Sequence, residues 1–200
     1  SSDVCSSDLD IFLPGTINGY VGMRNKAATP EARAAARMVI GPWGHGASTS
    51  FGEMNFGDDA MVSHTDLEIR FFDKYLKGID NGIDREDPVR LFYMGINKWR
   101  SEKDWPIPGT QYRPLYLAGN GSAKPGGGRL DFSQPAKASV DRYRYDPSNP
   151  VPTLGGNNCC GTPTLPGPRD QRPLETRQDV LVYTSDTLKE DLADRKSTRL

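Results

Sequence analysis

The chain has few of the residues that form disulfides, metal sites and nucleic-acid contacts. Its 200 residues include three cysteines and two histidines, and 25 lysine and arginine residues are balanced by 26 acidic residues. The formal net charge of -1 predicts no nucleic-acid partner, because binding phosphates requires a basic surface. No apolar run approaches the roughly 20 residues that span a bilayer, which predicts no membrane span.

The cysteines form no recognisable disulfide framework. Cys159 and Cys160 are adjacent, and adjacent Cα atoms lie about 3.8 Å apart, below the usual range for a disulfide. We favour free or partly buried thiols over a strained bond between neighbours, and the redox compartment stays open.

Both ends depart from the patterns of the rest of the chain. Residues 1–9 repeat a Ser-Ser-Asp unit without strand or helix periodicity, and they lack the basic start and apolar core of a signal peptide. Residues 195–200 are a short basic segment after an acidic one. Both segments resemble translated adapter sequence. We therefore interpret them as non-native flanks and expect the genuine sequence to run from about Asp10 to Asp194.

Residues 10–85 have the alternating pattern of an α/β domain. The spacing predicts a short helix or turn over Pro30–Arg37, a buried strand at Met38–Ile40 and an amphipathic helix over Val62–Lys77. The helix has apolar residues at i, i+4 and i+8, broadened by three more, with a capping candidate before it and a glycine after it. The residues at i, i+4 and i+8 are Leu67, Phe71 and Tyr75, and the three that broaden the stripe are Ile69, Phe72 and Leu76. The capping candidate is Ser63 or Thr65, and the glycine after the helix is Gly78. We interpret the stripe as core, although part of it would be exposed if strands of the sheet that it covers lie outside these 200 residues.

Residues 86–194 have the pattern of a β domain. Twelve of the sixteen prolines lie between Pro106 and Pro173, which excludes long helices there. Short strands are predicted within Pro88–Gly95, Arg113–Ala118 and Val180–Thr184, with turns between them. The residues therefore predict an α/β part followed by an all-β sandwich or jelly roll.

A histidine follows the strand Met38–Ile40 on a glycine-rich loop. His45 lies just beyond the carboxyl end of that strand, a position where α/β enzymes place catalytic residues, and imidazole can transfer protons near neutral pH. From spacing alone, a solvent-exposed loop histidine is an equally good interpretation. Other candidates are weaker: His64 fits a capping or packing role, a metal site with Asp58 or Asp59 lacks a ligand motif, and Ser48 and Ser50 lack the Gly-x-Ser-x-Gly elbow.

Five sequence blocks follow one another in a distinctive order: Asp10–Thr16, Val39–Gly46, Arg70–Gly78, Val89–Arg100 and Arg172–Thr184. Together they extend over most of the chain between the two flanks. In this order they resemble the CocE/NonD family of serine hydrolases, which includes cocaine esterases, X-prolyl dipeptidyl-peptidases, acylases and α-amino-acid ester hydrolases.

The resemblance implies the C-terminal part of an α/β-hydrolase domain, followed by a partial β-sandwich of the jelly-roll type. It also implies a Ser-His-Asp triad. His45, in Gly-Pro-Trp-x-His, would be the general base. Asp10 matches the aspartate position, although Ser7-Asp8-Leu9 replaces the family's Gly-Trp-Tyr before it. The triad order in this fold is serine, acid, histidine, so we expect the nucleophile upstream of the acid and the 200 residues alone to be inactive. The implied substrate is a small ester, amide or peptide, and no cofactor or metal is expected.

A binding module is the second interpretation of the chain. In that case the β domain would hold a carbohydrate or protein partner, and the α/β part would only support it. Scattered aromatic side chains offer a stacking surface, although in a β-sandwich such residues usually belong to the core. They are Trp105, Tyr116, Tyr143 and Tyr145. An oligomeric state is not predicted.

Overall fold

The structure is a computed structural model. It describes residues 3–7 (main chain only), 11–45, 48–51, 54–119, 121, 127–158, 166–190 and 192–193. The chain divides into two compact units: Ser1–Thr110 with Gly155–Arg169, and Gln111–Leu154 with Asp170–Leu200. Within the described residues, no helix is both long and apolar enough to cross a membrane.

The first unit is built on a four-stranded mixed sheet in the order β1-β2-β5-β6. β1 and β5 both pair with β2 in parallel, and β6 returns antiparallel to β5. A separate two-stranded hairpin is formed by β3 and β4. The strands are β1 (Asp3–Ser7), β2 (Arg37–Gly41), β3 (Ser50–Phe51), β4 (Met54–Asn55), β5 (Val89–Tyr93) and β6 (Lys98–Glu102).

The described residues of the first unit also form three α-helices and two short 3-10 helices. They are α1 (Leu13–Lys26), α2 (Pro30–Ala35), α3 (His64–Lys77), and the 3-10 turns Asp58–Ala60 and Ile83–Arg85. Ser63 is the N-cap of α3, where its hydroxyl accepts a hydrogen bond from the Asp66 amide at 3.2 Å. Gly78 ends the helix in the left-handed region with φ 72°, a conformation that glycine adopts without strain. The predicted helices α2 and α3 and the predicted strands β2 and β5 are therefore confirmed.

β1 and α1 are among the elements of the first unit that were not predicted from the sequence. Residues 1–9 have no strand periodicity, yet Asp3–Ser7 form β1, because pairing with β2 satisfies its main-chain groups without any side-chain pattern. Helix α1 has glycine at positions 15, 19 and 22, which lowers its helix propensity and hides its periodicity. The interpretation of both ends as non-native flanks stays a prediction.

The main core of the first unit lies between α1 and one face of the sheet. Met38 and Val89 are fully buried there, together with the Tyr20 ring from α1. The Tyr20 hydroxyl donates to Asp104 Oδ1 at 3.1 Å. Burial and the nearby negative charge of Asp104 raise the pKa of Tyr20 to about 12. A second cluster on the other face comprises Phe51, Phe56, Ala60 and Phe92, with Trp99 against it.

Helix α3 buries less of its apolar stripe than the core interpretation required. Phe71 is 6% exposed, whereas Leu76 is 77% and Ile69 51% exposed. The core interpretation is therefore wrong for Leu76 and Ile69. On the polar side of the helix, Lys74 forms ion pairs with Asp84 at 2.9 Å and Asp80 at 3.3 Å. The side of α3 that carries Lys74 therefore faces the 3-10 turn Ile83–Arg85.

The second unit contains short strands, one small helix and long irregular segments. Its sheet has the order β7-β8-β9, antiparallel and then parallel. The Tyr183 hydroxyl donates to Asp141 Oδ2 at 2.8 Å, and burial together with this carboxylate raises the pKa of Tyr183. The elements are β7 (Tyr116–Ala118), β8 (Gly128–Asp131), α4 (Arg172–Glu175) and β9 (Tyr183–Thr184).

The predicted sandwich and domain boundary stay predictions. The described part of the second unit shows a single three-stranded sheet, so a two-sheet jelly roll is not observed there. The predicted division at residues 85/86 differs from the division into compact units, because β5 and β6 join the sheet of the first unit. The compact units are defined by contacts between residues, whereas the predicted boundary is defined by a change in sequence pattern. The two divisions therefore do not test each other.

Candidate active site

The candidate site is the loop that follows β2. Met38 and Ile40 anchor the strand in the core at 0% and 2% exposure. The strand ends at Gly41, and proline at position 42 has no amide hydrogen to continue the sheet. The chain then remains buried through Trp43 and emerges at His45, which is exposed. His45 therefore lies at the surface, four residues after the end of the buried strand β2.

The Trp43 side chain lies beneath this loop. Its ring is 2% exposed, and its Nε1 donates to the carbonyl oxygen of Ala60 at 3.0 Å. The His64 ring meets it edge-on with centroids 4.9 Å apart, and the Trp99 ring is tilted against it at 5.8 Å. These contacts hold the indole between the loop and the start of α3.

The glycines of the loop make room for aromatic rings. A Cβ at Gly41 would overlap the Trp43 indole, and a Cβ at Gly44 would lie 3.3 Å from a Phe51 ring carbon. Neither glycine has positive φ. Close approach of side chains, and not main-chain conformation, therefore explains glycine at both positions.

The His45 imidazole lies beside the ring of Phe12. The two centroids are 5.5 Å apart with an interplanar angle of 56°. Phe12 immediately precedes α1 and is 58% exposed, so the pair is at the surface. Sequence analysis did not single out Phe12, although it stands two residues after the candidate acid in the same sequence block.

The other predicted catalytic residue, Asp10, lies outside the described residues. What the structure describes is the strand before it. β1 ends at Ser7, which is paired with Gly41 at the end of β2. Asp10 follows β1 by three residues and His45 follows β2 by four. Since β1 and β2 are parallel neighbours, both candidates follow strand ends at the same edge of the sheet.

The remaining sequence candidates occupy structural positions. His64 is the first residue of α3, and Ser63 provides the cap, so the packing interpretation of His64 holds and the capping one is wrong. The Ser48 hydroxyl donates to the Ser50 carbonyl at 2.9 Å within a local turn. Within the part of the chain that the structure describes, no group of three potential ligands could hold a metal ion.

An open groove on the second face of the sheet was not anticipated. Trp99 forms part of its wall, and the Arg90 guanidinium lies 4.7 Å above the Trp99 ring. The Trp99 indole N–H donates to the Asp59 carbonyl at 2.8 Å. The groove is lined by Asp59, Arg90, Asn97, Lys98 and Trp99. Residues so far apart in the chain give no local sequence signal for it.

The sequence matches a known domain family over more than half of its length. That family is described as the X-Pro dipeptidyl-peptidase C-terminal non-catalytic domain, and the match covers residues 81–193. Cocaine esterase of Rhodococcus sp. (strain MB1 Bresler) is 41% identical over 186 residues, which are 89% of this chain and 32% of the esterase. The chain therefore spans about a third of the length of that curated relative.

Solved structures of two hydrolases resemble the chain in both fold and sequence. An aminopeptidase from the marine sediment archaeon Thaumarchaeota archaeon is 31% identical with a TM-score of 0.57, over 77% of this chain and 25% of that one. An α-amino-acid ester hydrolase labelled with selenomethionine is 27% identical with a TM-score of 0.63, over 88% and 29% of the two chains.

Proposed function

The chain belongs to the CocE/NonD-type hydrolase family, and from that premise we propose that it supplies the base and the acid of a serine acyl hydrolase. His45 is the general base and Asp10 orients it. The nucleophilic serine comes from outside these 200 residues, since Ser48 and Ser50 lack the nucleophile elbow. The observation that supports the proposal most directly is the exposed His45 imidazole at the end of a parallel strand whose neighbour leads into Asp10.

The proposed reaction has two steps, acylation of the serine and hydrolysis of the acyl-serine, and His45 transfers a proton in both. A serine hydroxyl attacks an ester or amide carbonyl while His45 accepts its proton, and the same proton then goes to the leaving alcohol or amine. Water, activated in the same way, cleaves the acyl-serine intermediate and restores both groups. Asp10 would hold the imidazole in the tautomer that can accept the proton, a role whose loss in a serine protease costs about 10⁴-fold in kcat.

The names of the relatives limit the substrate class that we propose. They are named an esterase, an aminopeptidase and an ester hydrolase. All three names describe acyl transfer to water from an alcohol or amine leaving group. We therefore propose a small ester, amide or peptide as the substrate of the longer protein and leave the acyl group unassigned.

A longer protein that contains both the nucleophile and this chain tests the proposal. With p-nitrophenyl acetate as substrate, His45→Ala should lower kcat at least about 10³-fold. Asp10→Asn should also lower it strongly, whereas Asp66→Asn, at an exposed position in the first turn of α3, should leave it unchanged. The 200-residue chain alone should hydrolyse neither this ester nor a Xaa-Pro-nitroanilide. Wild-type turnover in His45→Ala would remove His45 from the mechanism.

A non-catalytic binding module is the second candidate, favoured by one observation. The family matched over residues 81–193 is described as non-catalytic. Of the aromatic residues considered for stacking, Tyr143 and Tyr145 are 57% and 61% exposed, whereas Trp105 packs against the core of the first unit. Binding of a soluble oligosaccharide that Tyr143→Ala and Tyr145→Ala abolish, in a protein without esterase activity, would favour this candidate.

A further inference from the structure

We propose that Trp43 is a positioning residue that sets the place of the His45 imidazole, and that position 41 is glycine because any side chain there would displace the Trp43 indole. The catalytic consequence rests on the proposed function, whereas the effect on the position of the ring does not. The argument depends on how the indole is held, on how close Gly41 comes to it, and on how short the chain is between Trp43 and His45.

The indole of Trp43 is held in both position and rotation. Its N–H donates to the Ala60 carbonyl at 3.0 Å, and Ala60 is 0% exposed. An indole has one donor, so this bond selects one orientation of the ring, and losing it would leave a buried carbonyl oxygen unpaired. The rings of His64 and Trp99 then contact it, at centroid distances of 4.9 and 5.8 Å. The ring therefore has little freedom to move within its site.

Gly41 contacts one particular part of the indole. The atoms that a Cβ at position 41 would meet are Cε2, Cζ2 and Cη2 of Trp43, with Cη2 2.5 Å away. Cζ2 and Cη2 lie beyond the reach of a phenylalanine ring, whereas Cε2 lies about as far along the side chain as a phenylalanine ring carbon. Phenylalanine at position 43 therefore removes two of the three overlaps with an alanine at position 41, so the smaller ring should relieve most of the clash. This reciprocal dependence distinguishes a positioning contact from general packing.

The chain between the indole and the imidazole is short. Gly44 alone separates Trp43 from His45, and a Cβ at Gly44 would come within 3.3 Å of Phe51, so the main chain there is also confined. A shift of the indole must therefore be transmitted to His45. A displacement of about 1 Å in a catalytic group can lower a rate by about 10²-fold. The ring of Phe12, 5.5 Å from His45, reports the position of the imidazole in the isolated chain.

A double-mutant cycle tests the proposal. The variants are Gly41→Ala, Trp43→Phe and the two combined. Gly22→Ala is the matched control, because a Cβ at Gly22 meets nothing within 4 Å. In the 200-residue chain, the readout is the nuclear Overhauser effect between the ring protons of Phe12 and His45. In the longer protein, it is kcat and KM for p-nitrophenyl acetate.

The expected pattern is a rescue of Gly41→Ala by Trp43→Phe. Gly41→Ala should weaken the Phe12–His45 effect and lower kcat by about 10- to 100-fold, with KM within about threefold. The double variant should recover part of the Overhauser effect, since it lacks the indole hydrogen bond to Ala60, and have a kcat at least about threefold above Gly41→Ala alone. Gly22→Ala should match the wild type in both readouts.

Two results would overturn the proposal. One is a Gly41→Ala chain that retains the full Overhauser effect, and the other is a double variant with purely additive losses. If His45→Ala retained turnover, the proposed function would fail by itself. The Overhauser readout would still decide whether Trp43 positions His45.

Discussion

Replacing Tyr20 with phenylalanine removes one hydroxyl from the core of the first unit and leaves the ring volume unchanged. That hydroxyl donates to Asp104 Oδ1 at 3.1 Å. The same carboxylate oxygen accepts from the Trp105 amide at 2.8 Å, and Oδ2 lies 3.8 Å from Arg24 Nε. Because Asp104 keeps these other partners, Tyr20→Phe reports the tyrosine hydrogen bond without leaving the carboxylate isolated.

The pKa of Tyr20 predicts how the effect depends on pH. Burial, followed by the negative charge of Asp104, raises this pKa from 10.0 to about 12. Since the folded-state pKa exceeds the unfolded one, the stabilisation is fully present below pH 10 and is lost as the pH rises toward 12. Two pKa units correspond to about 2.7 kcal/mol. This is the stability that the wild type loses once Tyr20 is ionised in both states, because burial and Asp104 disfavour the phenolate. At pH 8 the hydroxyl is neutral, so Tyr20→Phe should lose only the hydrogen bond to Asp104, about 1–2 kcal/mol.

Urea unfolding followed by tryptophan fluorescence measures this difference. All three tryptophans, at positions 43, 99 and 105, lie in the first unit, so the signal reports that unit alone. At pH 8, Tyr20→Phe should be less stable than the wild type by about 1–2 kcal/mol. At pH 11 the wild type should have lost about 1.4 kcal/mol that Tyr20→Phe keeps, so most of this difference should be gone. Tyr112→Phe, at a side chain that is 83% exposed, should behave as the wild type at both pH values.

The reasoning about Tyr20 would be refuted by either of two results. A Tyr20→Phe protein as stable as the wild type at pH 8 would mean that the hydrogen bond to Asp104 contributes nothing. A stability difference that stays constant between pH 8 and pH 11 would mean that ionisation of Tyr20 is not coupled to folding.

Two further predictions concern helix α3 and the turn after it. Phe71→Ala should destabilise the first unit by about 3–5 kcal/mol, whereas Leu76→Ala, at a residue 77% exposed, should change it by less than about 0.5 kcal/mol; equal losses in urea unfolding would contradict the exposed position of Leu76. Asn81→Ala should cost about 1–2 kcal/mol, because its side chain donates to the Arg70 carbonyl at 2.7 Å and accepts from the Ile83 amide at 3.2 Å. An unchanged urea midpoint in Asn81→Ala would show that water replaces both bonds.

Elements whose signals are local were predictable from the sequence. Helix α3 has a capping serine, apolar residues at helical spacing and a terminal glycine, and each signal acts within a few residues. β2 is a short apolar run that ends at Gly-Pro, and it places His45 beyond a strand end. Helix α1 was missed because its three glycines oppose helix formation locally. Contacts of α1 side chains such as Tyr20 with the sheet outweigh that cost.

Part of the candidate site depends on contacts between distant residues. The Trp43 indole meets the Ala60 carbonyl and the Trp99 ring, which are 17 and 56 positions further along the chain. No local pattern encodes such contacts. The steric reason for glycine at position 41 could therefore not be predicted either, because it depends on where the Trp43 indole lies. Phe12 and His45 are likewise brought together by the sheet and by the start of α1.

The sequence by itself determined which chemical groups stand at the candidate site and in what order, because residue type and local spacing specify a strand, a Gly-Pro stop and an exposed histidine. It also determined the family, since five ordered blocks are a property of the chain alone. Only the tertiary structure decided that β1 pairs with β2 and that α3 turns Lys74 toward the neighbouring turn while Leu76 is exposed. It also decided that Trp43 fills the space beneath His45. These outcomes depend on which surfaces meet, and that follows from packing the whole unit rather than from any one segment.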